Sequence, residues 1–455
     1  MRLSGDRSQM TTLRRLLLHV TCSTSVATVA WAATQSIELS PGAAVTFETE
    51  VGEFYQVERS SDMAQWDPIG SWFPGDGSTF EWAEPLHGPA QYYRMTHWPV
   101  ANLNDRLEAL RGQTELPAIA AAVIVDGQVV GVGAVGTRRF GMDAPVTLED
   151  RWHLGSITKS MTATVAGMLV EEGLIEWDTT LGEVFPEKAG AMVGDWSDST
   201  LLQLLSNSGG APADLNSSGI WATVWNFKGR PRAARALLLD EVTARAPAYA
   251  PGSGNEYSNA GFAMAGHMLE EVADQSWESL VQKHLYQPLG MASGGFGVPA
   301  TPRMWDEPVG HSESVRNPTI WDPSENADNP TAIGPAATAH ASILDLARYA
   351  QFHLRGARGE TGPLLATSTF ETLHTSHFGY QYALGWGIYE REWAGGTALH
   401  HTGSNTQWYA SVWLAPEVNW AVVVCTNFGG YDAAQKVDTI VGALLADYAP
   451  GKNDG

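Results

Sequence analysis

Cysteine is almost missing from this chain: its 455 residues include only Cys22 and Cys425. Cys22 falls in a leader-like segment described below, so the mature chain has no partner for an internal disulfide and must rest on its apolar core. Cys425 ends the apolar run Ala421-Val422-Val423-Val424-Cys425 and is expected to be a buried structural thiol. Basic side chains are scarce too. Lys and Arg number 27 against 50 Asp and Glu, a formal charge of −23, which leaves no surface able to neutralise phosphates and excludes nucleic acid as a partner. Beyond the leader no apolar stretch approaches the roughly 18 residues of a membrane span. Three mechanistic motifs are also missing: the Gly-x-Ser-x-Gly elbow, the G-x-x-x-x-G-K-[ST] phosphate loop and the H-E-x-x-H zinc helix. No cofactor and no metal is therefore expected, and His400-His401 alone makes a poor metal site. No repeat of solenoid period occurs.

What is present describes a globular protein of two or three domains, 44% hydrophobic and 17% charged. Residues 1–32 read as a signal peptide: Arg14 and Arg15, an apolar stretch over 16–29, then Ala30-Trp31-Ala32. That predicts a secreted or periplasmic protein. Residues 36–98 are rich in aromatics and turn residues, with alternating runs such as Phe54-Tyr55-Gln56-Val57-Glu58-Arg59, and predict a small all-β module. Its aromatics could make a carbohydrate-binding face, although core packing is their commoner use. A second domain is expected over 101–447. Its pattern gives a helix over 102–112, two strands around Asp126-Gly127, a buried helix over 158–172 and a mostly helical stretch over 200–289. A helix over 342–355, strands over 383–389, 398–402, 408–414 and 419–426, and a final helix over 433–448 follow. This order predicts an α+β fold, an antiparallel sheet covered by N- and C-terminal helices with an inserted helical lobe.

The chain has six lysines, and only Lys159 follows a serine by three positions, in Ser156-Ile157-Thr158-Lys159. Positions i and i+3 share a helix face, so a desolvated lysine there can take the serine proton. Read alone, the same spacing also suits a helix-capping serine beside a solvated lysine. Two later segments favour the chemical reading. Tyr257-Ser258-Asn259 is the one Tyr-x-Asn, exposed after Pro251-Gly252-Ser253-Gly254 and just before a helix. His401-Thr402-Gly403-Ser404 closes a strand-like run.

The three motifs in this order resemble those of the penicillin-recognising serine hydrolases, in the branch of class C β-lactamases, D-alanyl-D-alanine carboxypeptidases and related esterases. The segments 204–210, 288–291 and 383–387 support the resemblance, which spans about 101–447. It implies a β-lactamase/transpeptidase-like fold and a serine acyl hydrolase acting through a Ser156 acyl-enzyme. Lys159 and Tyr257 would be its acid–base pair, with the first base left open between them, and Asn259, His401, Thr402 and Ser404 would bind substrate. The oxyanion would lie between the backbone N–H groups of Ser156 and Ser404. The substrate would be a small-molecule or peptide acyl compound (an ester, D-alanyl peptide or β-lactam), with cell-wall material a candidate partner. The rival is a cell-wall or penicillin-binding protein that acylates or binds without efficient turnover.

Three finer expectations follow. A cationic Lys159 should lower the Tyr257 phenol and favour phenolate at neutral pH. His401, standing where the β-lactamase branch usually has Lys, should gain charge toward about pH 6 and then favour carboxylate-bearing substrates. Trp386 and Trp408 are expected to wall the cleft.

Overall fold

The computed structural model describes residues 16–17, 42–85, 92–323, 327–360 and 364–449. The predicted signal peptide lies outside them, apart from Leu16–Leu17, a short strand paired with Arg94 and Met95. The chain divides into two compact units, Met1–Ala101 and Asn102–Gly455.

In the first unit, Glu53–Ser60 is paired antiparallel on one side with Asp67–Pro74 and on the other with Tyr92–Pro99, while Gly42–Glu48 pairs with Thr79–Pro85. Its aromatics turn toward one another. Phe73 stacks on Phe80 at 4.1 Å, Phe54 on Trp72 at 4.8 Å, and Tyr55 on Phe73 at 5.8 Å. Phe54, Tyr55, Trp72 and Tyr93 are buried, so these rings serve chiefly as a core.

The second unit is built on a sheet whose long strands run antiparallel in the order Gly387–Arg391, Gly396–Ser404, Tyr409–Ala415, Trp420–Thr426, Ala118–Val125 and Gln128–Gly136. Asp126 and Gly127 both have positive φ and close the hairpin between the last two. Helices Asn104–Thr114 and Ala433–Tyr448 cover one face, through Leu107, Leu110, Val437, Ile440 and Leu444 against Ile119, Val123, Val422 and Val424. Helix Ile343–Ala357 packs against Trp420–Thr426 and Ala118–Val125 as well. Every residue of Trp420–Thr426 is consequently buried, which is why that strand reads as an unbroken apolar run. Cys425 lies within it as a free buried thiol, and burial pushes its titration upward. The helical lobe comprises Pro231–Thr243, Asn259–Ala273 and Trp277–Val281, among shorter pieces. The antiparallel sheet, end helices and inserted lobe are those the order of elements predicts, and the fold is β-lactamase/transpeptidase-like, as the resemblance implies.

Candidate active site

The Ser156 motif begins with a tight 3-10 turn, Gly155–Ile157, that runs directly into helix Thr158–Glu171. Residues 158–169 of that helix are all buried, so its frame is set by core packing on every side. Lys159 is 0% exposed. Its Nζ lies 3.1 Å from Ser156 Oγ, 2.7 Å from Asn259 Oδ1 and 3.0 Å from the carbonyl oxygen of Ala336. None of these partners is charged. Burial therefore holds the Lys159 ammonium well below its usual titration. As a neutral amine, Lys159 can donate its two N–H groups to the Asn259 and Ala336 oxygens, which only accept. Its lone pair then faces the Ser156 hydroxyl.

Tyr257 and Asn259 arrive from the lobe. Ser258 caps helix Asn259–Ala273, its Oγ accepting the Gly261 N–H at 3.2 Å, and Asn259 opens the helix facing Lys159. The Tyr257 ring centroid lies 4.6 Å from Lys159 Nζ. The residue as a whole is 44% exposed, but its hydroxyl lies against the Ser156 hydroxyl, on the buried side of the ring. There burial pushes the phenol upward, and the neighbouring Ser156 hydroxyl offsets this only in part. The expectation of a phenolate is thus overturned. It required a cationic Lys159, and the same dry environment disfavours both the ammonium and the phenolate.

His401, Thr402 and Ser404 come from strand Gly396–Ser404. A Cβ on Gly403 would collide with the carbonyl oxygen of Leu154, and one on Gly155 (φ +49°) with the backbone nitrogen of Ser404. Two glycines thus let strand and nucleophile turn meet backbone to backbone, with Ser404 N beside the turn. The Ser156 N–H has no acceptor among the described residues. The Ser404 hydroxyl is held by the Thr406 N–H at 2.9 Å.

His401 donates from Nδ1 to the carbonyl oxygen of Thr402 (2.6 Å), which leaves Nε2 to accept the Tyr382 hydroxyl proton (3.0 Å). Burial first, then the Lys159 charge, depress its titration to about 3. The expected charging near pH 6 is therefore overturned: burial with no carboxylate nearby among the described residues disfavours the imidazolium, and the neutral ring already has a partner at each nitrogen. The adjacent His400 points to the opposite face of the strand and stacks on Trp413 at 3.7 Å. Trp386 and Trp408 are both 0% exposed and belong to the core, not to the cleft wall. Trp386 packs among Tyr349, His353 and His374, and Trp408 on His153.

Three contributors escape sequence reasoning. Tyr382 orients His401 and meets the Tyr257 ring edge-on at 6.1 Å. Asn207, at φ 60°, accepts the Ser258 N–H on its side chain (3.0 Å) and the Tyr249 hydroxyl on its carbonyl (2.6 Å), bracing Tyr257-x-Asn259 from below. An Asn before Ser-Gly-Gly was a signal for such a left-handed brace. The Ala336 carbonyl had no signal, since any residue supplies one.

A family model described as Beta-lactamase matches residues 103–447, so the chain belongs to that family and with it to the serine hydrolases. Penicillin-binding protein 4 of Amycolatopsis lactamdurans is 25% identical over 347 residues, covering 73% of this chain and 85% of that protein. A lovastatin esterase of Penicillium rubens is 25% identical over 296 residues, 58% of this chain and 70% of its own. Among solved structures, a D-alanine carboxypeptidase from Burkholderia cenocepacia shares the fold with a TM-score of 0.57 at 23% identity, over 74% of this chain and 97% of that one.

Proposed function

We propose that the protein is an exported serine acyl hydrolase that prefers uncharged acyl compounds, esters foremost, over substrates that must be gripped by a carboxylate. The placement of Lys159 Nζ among Ser156 Oγ, Asn259 Oδ1 and the Ala336 carbonyl, with no carboxylate beside it, carries the reading. Ser156 Oγ attacks the acyl carbon while its proton passes to neutral Lys159. The oxyanion is held by the backbone N–H groups of Ser156 and Ser404. Collapse breaks the bond to the leaving group, which takes the Tyr257 phenolic proton, and Lys159 returns its proton to Tyr257. In deacylation water loses a proton to the same pair, attacks the acyl-enzyme carbon and frees the acid, and the Ser156 oxygen recovers its proton.

The preference for uncharged substrates is supported by the third motif. Among the described residues no carboxylate faces His401, and burial above all depresses its titration to about 3, which favours the neutral imidazole. Thr402 lies on the His400 side of the strand with its hydroxyl against Tyr409, so that segment offers the Ser404 backbone N–H but no fixed cation for a substrate carboxylate. Its lovastatin esterase relative agrees with an ester substrate. Export rests on the leader pattern of residues 1–32.

The test is turnover of a short-chain nitrophenyl ester and of a D-alanyl peptide, with labelling by a fluorescent penicillin, each alongside Ser156→Ala. Ester turnover lost in Ser156→Ala, with little peptide turnover, is expected. Stable penicillin labelling without turnover of either substrate would point instead to a binding protein.

A further inference from the structure

Three residues before the nucleophile, His153 is 0% exposed and closes a polar chain that the reaction described above does not use. Its Nδ1 accepts the backbone N–H of Gly155 at 3.1 Å, which places the ring proton on Nε2, and Nε2 donates to Asp328 Oδ1 at 2.8 Å. The ring stacks on Trp408 at 5.7 Å, and across the strand ladder His153 pairs with His340. The same Asp328 oxygen accepts the Asn329 N–H at 2.6 Å, and Asn329 Nδ2 donates to the Ala337 carbonyl at 3.0 Å. That carbonyl is next in the chain to the one that holds Lys159.

The first N–H groups of a helix lack intrahelical partners. Gly155 and Ser156 both stand at such positions, yet only Ser156 belongs in the oxyanion site. His153 removes the Gly155 N–H from competition and fixes the peptide plane before Ser156, in a turn whose glycine has φ +49°. We propose that Asp328 and His153 form a positioning dyad that aims the Ser156 N–H into the oxyanion site, with Asp328 fixing the His153 tautomer and His153 fixing the Gly155 peptide. The proposal rests on Ser156 being the nucleophile of an acyl hydrolase.

Geometry supplies a rescue. An Asn side chain readily accepts the N–H two residues ahead, the same i to i+2 contact that His153 makes. His153→Phe keeps a flat ring on Trp408 but loses the acceptor, whereas His153→Asn keeps the acceptor. Removing an oxyanion donor outright costs roughly 100- to 1000-fold in kcat, and misaiming one should cost about 10- to 100-fold. The experiment measures kcat, KM and the acylation burst on a nitrophenyl ester, with active sites titrated by a fluorophosphonate. Expected are a lower kcat and burst rate at near-constant KM in His153→Phe, and substantial recovery in His153→Asn. Asp328→Ala should lower kcat in the wild-type background but have little effect in His153→Asn. Unchanged kcat per titrated site in His153→Phe, or an equal loss in His153→Asn, would overturn the dyad alone. Absence of Ser156-dependent turnover in the wild type would remove the hydrolase reading and the dyad with it.

Discussion

Lys159, on the nucleophile helix, and Arg235, on helix Pro231–Thr243 of the lobe, are the largest fully buried basic side chains of the catalytic unit, 0% and 1% exposed. Their surroundings are opposite. Arg235 donates to both oxygens of Glu270 (3.0 and 2.6 Å) and to both of Glu278 (3.0 and 2.9 Å). Burial alone would lower its titration, but these carboxylates more than offset that and raise it. In turn, and despite burial, His267, Arg235 and the Trp277 N–H hold Glu270 at about 2. Lys159 has three neutral oxygens and no carboxylate, and burial acts unopposed. In the scaffold, charge is buried with its counter-charge; at the reactive serine it is left unpaired, and the lysine becomes a base. The two regions also touch. Arg235 Nη1 donates to the Thr331 carbonyl at 3.2 Å, anchoring the segment whose Ala336 carbonyl receives Lys159.

The contrast can be broken most sharply at Lys159. Lys159→Arg keeps a cation that cannot give up its proton, and Lys159→Met removes the base. Either should lower kcat/KM on a nitrophenyl ester by about 1000-fold or more. The two variants separate on thermal melting. Met removes a desolvated amine and should melt at or above the wild type, whereas Arg should melt below it. A fully active Lys159→Arg enzyme would show that the lysine works as a cation.

At Arg235 the signs reverse. Arg235→Met leaves Glu270 buried without its partner and should cost roughly 3–5 kcal/mol in urea unfolding. Replacing Glu270 by Leu in the same chain should recover part of that loss, because a buried pair is often replaceable by apolar residues of like volume. Turnover per titrated serine should fall far less than in the Lys159 variants, by whatever the Thr331 anchor contributes.

The same reasoning gives a pH dependence of stability. The titrations of His311 and His340 are depressed to about 4, and those of His374, His400 and His401 to about 3, in each case mainly by burial. A group depressed in the fold stabilises it above its unfolded titration and loses that contribution as pH falls through the folded value. For these histidines the loss runs from about 6.5 down to 4 or 3; for Glu270 it runs from about 4.5 down to 2. The urea midpoint should therefore drop steadily between pH 7 and pH 4, the histidine part first. His374→Phe should flatten the upper part of that slope.

Much of the fold was legible because its signals are local and periodic. The predicted final helix is Ala433–Tyr448, and the hairpin closes at Asp126-Gly127. The helix expected over 102–112 lies at Asn104–Thr114, since its first turn depends on tertiary contact more than on pattern. Geometry brings Ser156, Lys159, Tyr257, Asn259 and His401 together, and Ser404 beside the turn. Their protonation was not legible. Whether a lysine is charged depends on what lies across the fold from it, and the Ala336 carbonyl, Asn207 and Tyr382 are remote in sequence. Trp386 and Trp408 show the same limit: a tryptophan beside a motif looks like a wall until the layer behind it is known.

The smallest expected effect concerns His401 and tests whether the uncharged character of the site extends beyond Lys159. Were His401 to titrate near pH 6, activity on an anionic substrate would rise toward acid relative to a neutral ester, and His401→Gln would abolish the difference. With Nδ1 donating to Thr402, Nε2 accepting from Tyr382 and titration depressed to about 3, no such difference should arise. The acid limb of kcat/KM should belong to Lys159, which must lose its proton to act, and should lie well below the usual lysine range. Since Gln can accept from Tyr382 as imidazole does, His401→Gln should lower kcat/KM modestly while leaving the shape of the pH profile unchanged. A limb near pH 6 that vanishes in His401→Gln would return a charge to the third motif, and the contrast between an uncharged site and a charged scaffold would then hold for the lysine alone.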